Sequence, residues 1–258
     1  MDLLELDALS LYFGDPYVLN DYITVFQPTI GEVAKYGERK YFSMIHTICA
    51  IPSDLKSQLF DLGIDWEEIS DFDLFMMLAP TLPLEATRIV LGDIDLSKLK
   101  PYQNNQNGQI VLANKETGVV IDMLIYERIV NYLRKVHGLK KKIEHAANKY
   151  TKRILIDEDR RNIEMNKNKP YKSFLTPLVS SVKVRMGYTK DYIRNMGVYE
   201  FFDDIQRLQV IQSADALLNA MYSGFIDTSK IKNKNTILNW MRELGTDDNS
   251  NKMSWSDK

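Results

Sequence analysis

The chain has 258 residues, 45% of them hydrophobic and 26% charged, with 33 Lys/Arg against 35 Asp/Glu and a formal net charge of −2. That length and balance suit a soluble globular protein with a sizeable core and argue against wholesale disorder. Its single cysteine, Cys49, excludes an intramolecular disulfide and a cysteine-based zinc cluster, and no apolar run approaches the ~20 residues of a membrane span.

The charge is unevenly distributed. Residues 1–95 hold 5 Lys/Arg against 17 Asp/Glu, residues 96–200 hold 21 against 10, and the last 58 hold 7 against 8. The split predicts an acidic lobe and a basic lobe that attract each other or different partners. The start Met1-Asp2-Leu3-Leu4-Glu5 lacks the basic and apolar regions of a secretory signal, and the single cysteine makes a reducing cytosol the expected compartment.

In chain order, Tyr22-Ile23-Thr24-Val25-Phe26 predicts a strand stopped by Gln27-Pro28. Thr29-Ile30-Gly31-Glu32 fits a capping box, in which Thr and Glu each satisfy the other's backbone donor. It predicts a helix from Ile30, broken near Gly37 and resumed through Tyr41, Met44, Ile45 and Ile48. Cys49 follows in the same apolar run, as a buried, inert thiol. Ser53 is placed as the cap of a short helix carrying Leu55, Leu59 and Phe60 and closed by Gly63. Residues 65–79 predict another helix, ended by Pro80 and Pro83. The carboxylates around it, Asp61, Asp65, Glu67, Glu68, Asp71 and Asp73, lack the spacing of a calcium loop and read as a solvated acidic face.

Arg88-Ile89-Val90-Leu91 predicts a short strand and Tyr102 to Gly108 a loop. Ile110-Val111-Leu112 and Val119-Val120-Ile121 predict a hairpin around Asn114 to Gly118. From Asp122 apolar residues recur at helical spacing through Ile154, with a break at His137-Gly138. The polar stretch 157–170 reads as a linker. Thr176-Pro177 predicts an N-cap with a first-turn proline. Thr189 caps a short helix through Ile193 and Met196, and Gly197 punctuates it. A longer helix carries Phe201, Phe202, Ile205, Leu208, Ile211 and Leu218 to Gly224, and a last helix covers Thr236 to Leu244. The fold class is mainly α with a small antiparallel β element (α+β) and a helical C-terminal lobe. The expected organisation is an acidic mixed lobe 1–121, a basic to neutral helical lobe 122–245 and a disordered tail 246–258.

No catalytic constellation emerges. His46 lies among apolar residues as a core or edge histidine. His137, at a helix break, would bring a positive charge to the C-terminal dipole, and His145 reads as surface. There is no HExxH, serine triad, nucleophile elbow or glycine-rich phosphate loop. Asp157-Glu158-Asp159 runs straight into Arg160-Arg161 and lacks the second carboxylate motif of a two-metal nuclease. The expectation is a non-enzyme with no metal and no cofactor.

The strongest physical signal is basic. Arg128 to Arg194 holds 18 Lys/Arg against 6 Asp/Glu, with Lys140, Lys141, Lys142, Arg153, Arg160 and Arg161 as its expected surface. Such charges can bind phosphate through counterion release; they can equally coat a helix or neutralise the acidic lobe. The order of elements over Thr176 to Val210 also suits a helix-turn-helix. Glu200, Asp203 and Asp204 open its second helix, where a DNA backbone would repel them. A nucleic-acid binder is therefore the alternative reading.

Gly187-Tyr188-Thr189-Lys190-Asp191-Tyr192-Ile193-Arg194-Asn195-Met196-Gly197-Val198-Tyr199-Glu200-Phe201-Phe202 resembles a pattern in phage tail assembly chaperones, in which a short helix ends in an Ile-x-x-Met step and a Glu-apolar pair opens the next helix. The runs Ile23 to Glu32, Leu62 to Trp66 and Tyr222 to Asp227 are similar to proteins encoded in tail-gene clusters of phages of low-GC Gram-positive bacteria. The resemblance implies a non-enzymatic factor in the host cytoplasm that binds phage tail proteins such as tape-measure or tail-tube subunits. On it, Tyr188, Ile193, Met196, Tyr199 and Phe202 are the expected partner-binding residues.

Overall fold

The computed structural model describes residues 7–104, 108–223, 231 and 233–244. After α1 (Ala8–Phe13), strands β1 (Tyr17–Asn20) and β2 (Ile23–Val25) form an antiparallel hairpin. Its turn is held by Asn20, whose Oδ1 accepts from the Tyr22 and Ile23 amides. Helix α2 (Ile30–Tyr36) starts at the predicted box: Thr29 Oγ1 accepts from the Glu32 amide, and the Glu32 carboxylate accepts from the Thr29 amide. Gly37 separates α2 from α3 (Glu38–Ile48), as expected. Helices α4 (Lys56–Asp61), α5 (Asp71–Leu78) and α6 (Leu84–Leu91) follow. A second antiparallel sheet then runs β3 (Lys100–Gln103), β4 (Ile110–Ala113) and β5 (Val120–Ile121), with Leu112 opposite Ile121 in the predicted hairpin. The rest is helical: α7 (Met123–His137), α8 (Lys149–Lys167), α9 (Leu175–Met186), α10 (Lys190–Asn195), α11 (Val198–Ser223) and α12 (Lys234–Leu238). Among the described residues the class is α+β, predominantly helical, and no helix is long and apolar enough to cross a membrane.

Several elements differ from expectation. Arg88–Leu91 is the end of α6, because Thr87, Val90 and Leu91 share one buried helical face; a short apolar run does not reveal its own period. Residues 65–70 are turns. Asp65 Oδ1 accepts from the Glu67 amide, and Ser70 starts α5 by a capping box with Asp73. Ser53 is buried in a 3-10 turn and accepts from the Glu144 amide instead of capping α4. Tyr102 and Gln103 belong to β3, and β1 was not foreseen.

The long helical spacing after Asp122 is interrupted. Gly138 ends α7 in the left-handed conformation, and α8 restarts only at Asn148, whose Oδ1 accepts from the Thr151 amide. The polar stretch expected as a linker is helical to Lys167. Helix α9 begins one residue before Thr176, which is no cap: Ser173 Oγ accepts from the Thr176 amide, and Glu38 Oε1 accepts from those of Phe174 and Leu175. Helix α12 is shorter than the predicted Thr236 to Leu244. Gly224 and the expected tail 246–258 lie outside the described residues.

The main core draws on both sides of the expected 121/122 boundary, with Ile23, Val33, Tyr41, Leu133 and Phe201 all in one buried cluster. A satellite core of Ala50, Leu59, Trp66, Leu74 and Ile156 joins α4 and α5 to α8.

Candidate functional site

The junction between α10 and α11 is bound to the segment that leads into α2 by main-chain pairing. Ile30 N donates to Met196 O at 2.9 Å, and Val198 N donates to Pro28 O at 3.1 Å. Gln27 locks the same junction: Oε1 accepts from Tyr199 N at 2.9 Å while Nε2 donates to Leu11 O at 3.0 Å. Thr189 caps α10 as predicted, accepting from Tyr192 N.

This docking covers the face expected to bind a partner. Ile193, Met196 and Phe202 are only 1%, 2% and 4% exposed, in the main core, and Tyr188 and Tyr199 are half-buried against it. Ile193, Met196 and Phe202 are thus satisfied within the chain and are not surface contacts, while Tyr188 and Tyr199 keep part of their surface open. The Tyr12 and Tyr188 hydroxyls donate to the two oxygens of Asp204 at 3.1 and 3.4 Å. Burial raises the carboxyl pKa values of Glu200, Asp203 and Asp204. The first turns of α11 pack against α1 with Phe201 fully buried, so an acidic, packed helix start occupies the position of a recognition helix.

The acidic stretch is cross-linked to the basic one. Lys152 Nζ lies 2.5 Å from Asp65 and 2.7 Å from Glu67, and 4.6 Å from the centre of the Trp66 ring. Lys141 pairs with Asp71 at 2.6 Å, Lys56 with Glu144 at 2.8 Å, and Arg160 with Asp61. Hydrogen bonds from Lys152 lower the carboxyl pKa values of Asp65 and Glu67. The expected solvated acidic face thus stays at the surface, and part of it forms a seam of partly exposed ion pairs with the basic stretch. Of the expected basic surface, Lys141 and Arg160 join that seam, Lys142 pairs with Glu144, and Lys140, Arg153 and Arg161 are exposed.

The histidines separate. His46 is exposed on α3, and His145, in the extended segment before α8, lies 3.8 Å from Glu67. His137 is buried, not the cationic cap expected of it. Its Nδ1 must carry the proton, because it lies 2.6 Å from the Leu133 carbonyl, which can only accept; Nε2 then accepts from the Tyr41 hydroxyl at 2.6 Å. Burial pushes its pKa down to about 4 and pushes the buried Cys49 thiol up to about 12. Both groups are neutral near pH 7.

The sequence did not point to a groove of about 580 Å³ between α2 and α10, lined by Thr29, Gly31, Glu32, Ala34, Lys35, Arg194 and Asn195. Gly31 permits the close approach that shapes it: a Cβ there would lie 2.8 Å from Arg194 O. An isolated glycine in a helix pattern was the signal that could have marked this crossing.

Residues 166–245 match the family described as YomV second domain. The match spans α9 to α12 and places a phage-associated domain in the C-terminal part of the chain. No curated protein and no solved structure matches the chain.

Proposed function

We propose that this chain is a non-enzymatic phage assembly protein, of the tail assembly chaperone kind, that works in the host cytoplasm by binding another phage protein such as a tape-measure or tail-tube subunit. The phage-associated segment supplies the context. The observation that carries the reading is that this same segment, although its inner face is sealed against α2, leaves large apolar side chains outside. Val184 is 82% exposed, Tyr222 87%, Met241 72% and Trp240 48%. Helix α11 buries Val198, Phe201, Phe202 and Ile205 at its start but only Ala214 and Leu217 beyond them. A long helix with a thinly covered second half offers an apolar stripe to a helical client.

The test is affinity capture of the tagged full chain from phage-infected cells, with mass spectrometry of what it retains. Enrichment of a phage structural protein over an untagged control supports the reading, and its absence removes it. Exposed Arg153 and Arg161 keep nucleic-acid binding as a second reading. Tight duplex-DNA binding that weakens steeply with salt would favour it.

A further inference from the structure

The long-range ion pairs lie on the α4–α8 side. Helices α2, α3, α9 and α10 carry a different surface: α2 packs on both α3 and α10, and α10 packs on α9. On it Lys35, Arg39, Lys183, Arg185, Lys190 and Arg194 are all exposed, and among the described residues none of them is in an ion pair. The same helices carry fewer carboxylates than cations: Glu32, hydrogen-bonded to the Thr29 amide, Glu38, which accepts from the Phe174 and Leu175 amides, and Asp191 in the first turn of α10. The α2–α10 groove lies within this surface, flanked by Lys35 and Arg194. Apolar side chains sit among the cations on α9 and α10: Val184 at 82% exposure, Met186 at 39% and Tyr192 at 48%.

We propose that this face is a docking surface for an acidic amphipathic helix of a partner protein. Charge complementarity selects the occupant. Lys35 and Arg194 at the groove, with the exposed cations and apolar groups of the neighbouring α9 and α10, match a helix with carboxylates beside an apolar stripe. A phosphate backbone fits less well, because a uniformly anionic ligand leaves the exposed Val184 and Met186 without contacts. The inference rests on the assembly reading and names the chemistry of its partner.

The test is fluorescence anisotropy of the full chain with a labelled synthetic helical peptide bearing one Glu face and one Leu face. The peptide should bind, more weakly as salt rises, and Lys35→Glu with Arg194→Glu should weaken it about tenfold or more. Arg153→Glu with Arg161→Glu, on α8, should leave the affinity unchanged. Melting curves check that the variants fold. Should the Glu pair fail to fold, Lys35→Gln with Arg194→Gln replaces it and should still weaken binding. No peptide binding overturns the proposal, as does binding insensitive to whichever reversal folds. Tighter binding of duplex DNA, lost with the same reversal, overturns it in favour of nucleic acid. If the peptide fails while a phage protein is still captured from infected cells, this face is wrong and the assembly reading stands.

Discussion

Gly31 in α2 lies against the backbone of Arg194 in α10, so closely that a Cβ on Gly31 would sit 2.8 Å from the Arg194 carbonyl oxygen and 3.3 Å from its Cβ. Replacing a helical glycine by alanine ordinarily stabilises by about 0.5 to 1 kcal/mol. Here the obstacle is main chain, which cannot rotate away. Gly31→Ala should therefore destabilise, by about 1 to 3 kcal/mol of overpacking. Urea denaturation measures it, and a stabilised variant would contradict the α2–α10 crossing.

His137 makes stability fall in mild acid. Its folded pKa is about 4, below the ordinary value of 6.5. The unfolded chain takes up the proton as pH drops through 6.5, while the folded chain resists until about 4. The contribution is thus full above pH 6.5 and is lost across that window, by about 3 kcal/mol at its acid end. Denaturation of wild type and His137→Gln over the same pH range isolates it: the variant should show the shallower loss. Parallel profiles would place the histidine in water.

Lys152 serves Asp65, Glu67 and the Trp66 ring together, with 23% of its side chain exposed. Lys152→Met should cost about 1 kcal/mol at low salt, and less at high salt where the two carboxylates repel each other weakly. A cost that does not change with salt would assign the effect to packing alone.

Phe201 is fully buried in the main core, on the helix that packs against α1 and α7. Phe201→Ala should lower stability by about 3 to 5 kcal/mol, read from thermal or urea melts. An unchanged melt would place the residue at an interface instead.

Capping chemistry was the most legible feature of the sequence. The Thr29–Glu32 box, the Thr189 cap and the hairpin from Ile110 to Ile121 depend on groups three to ten positions apart and were found where expected. The charge split was legible as an attraction and takes the form of the Asp61–Arg160, Asp65–Lys152 and Asp71–Lys141 pairs. What could not be read was who covers whom. The resemblance marked Ile193, Met196 and Phe202 as partner-binding, but whether this chain or a partner covers them depends on where α2 lies. For the same reason the groove was invisible, since Lys35 and Arg194 meet only through the α2–α10 packing. Arg88–Leu91 failed differently: four apolar-biased residues fit either period until Thr87 is known to be buried beside them.

The most direct measurement of the assembly role is crosslinking mass spectrometry on the full chain captured from phage-infected cells. A phage structural protein should be retained above an untagged control, with crosslinks from lysines of α9 and α10, such as Lys183 and Lys190, to acidic helical segments of that protein. Retention of no phage protein, or recovery only of nucleic acid released by salt, would contradict the account.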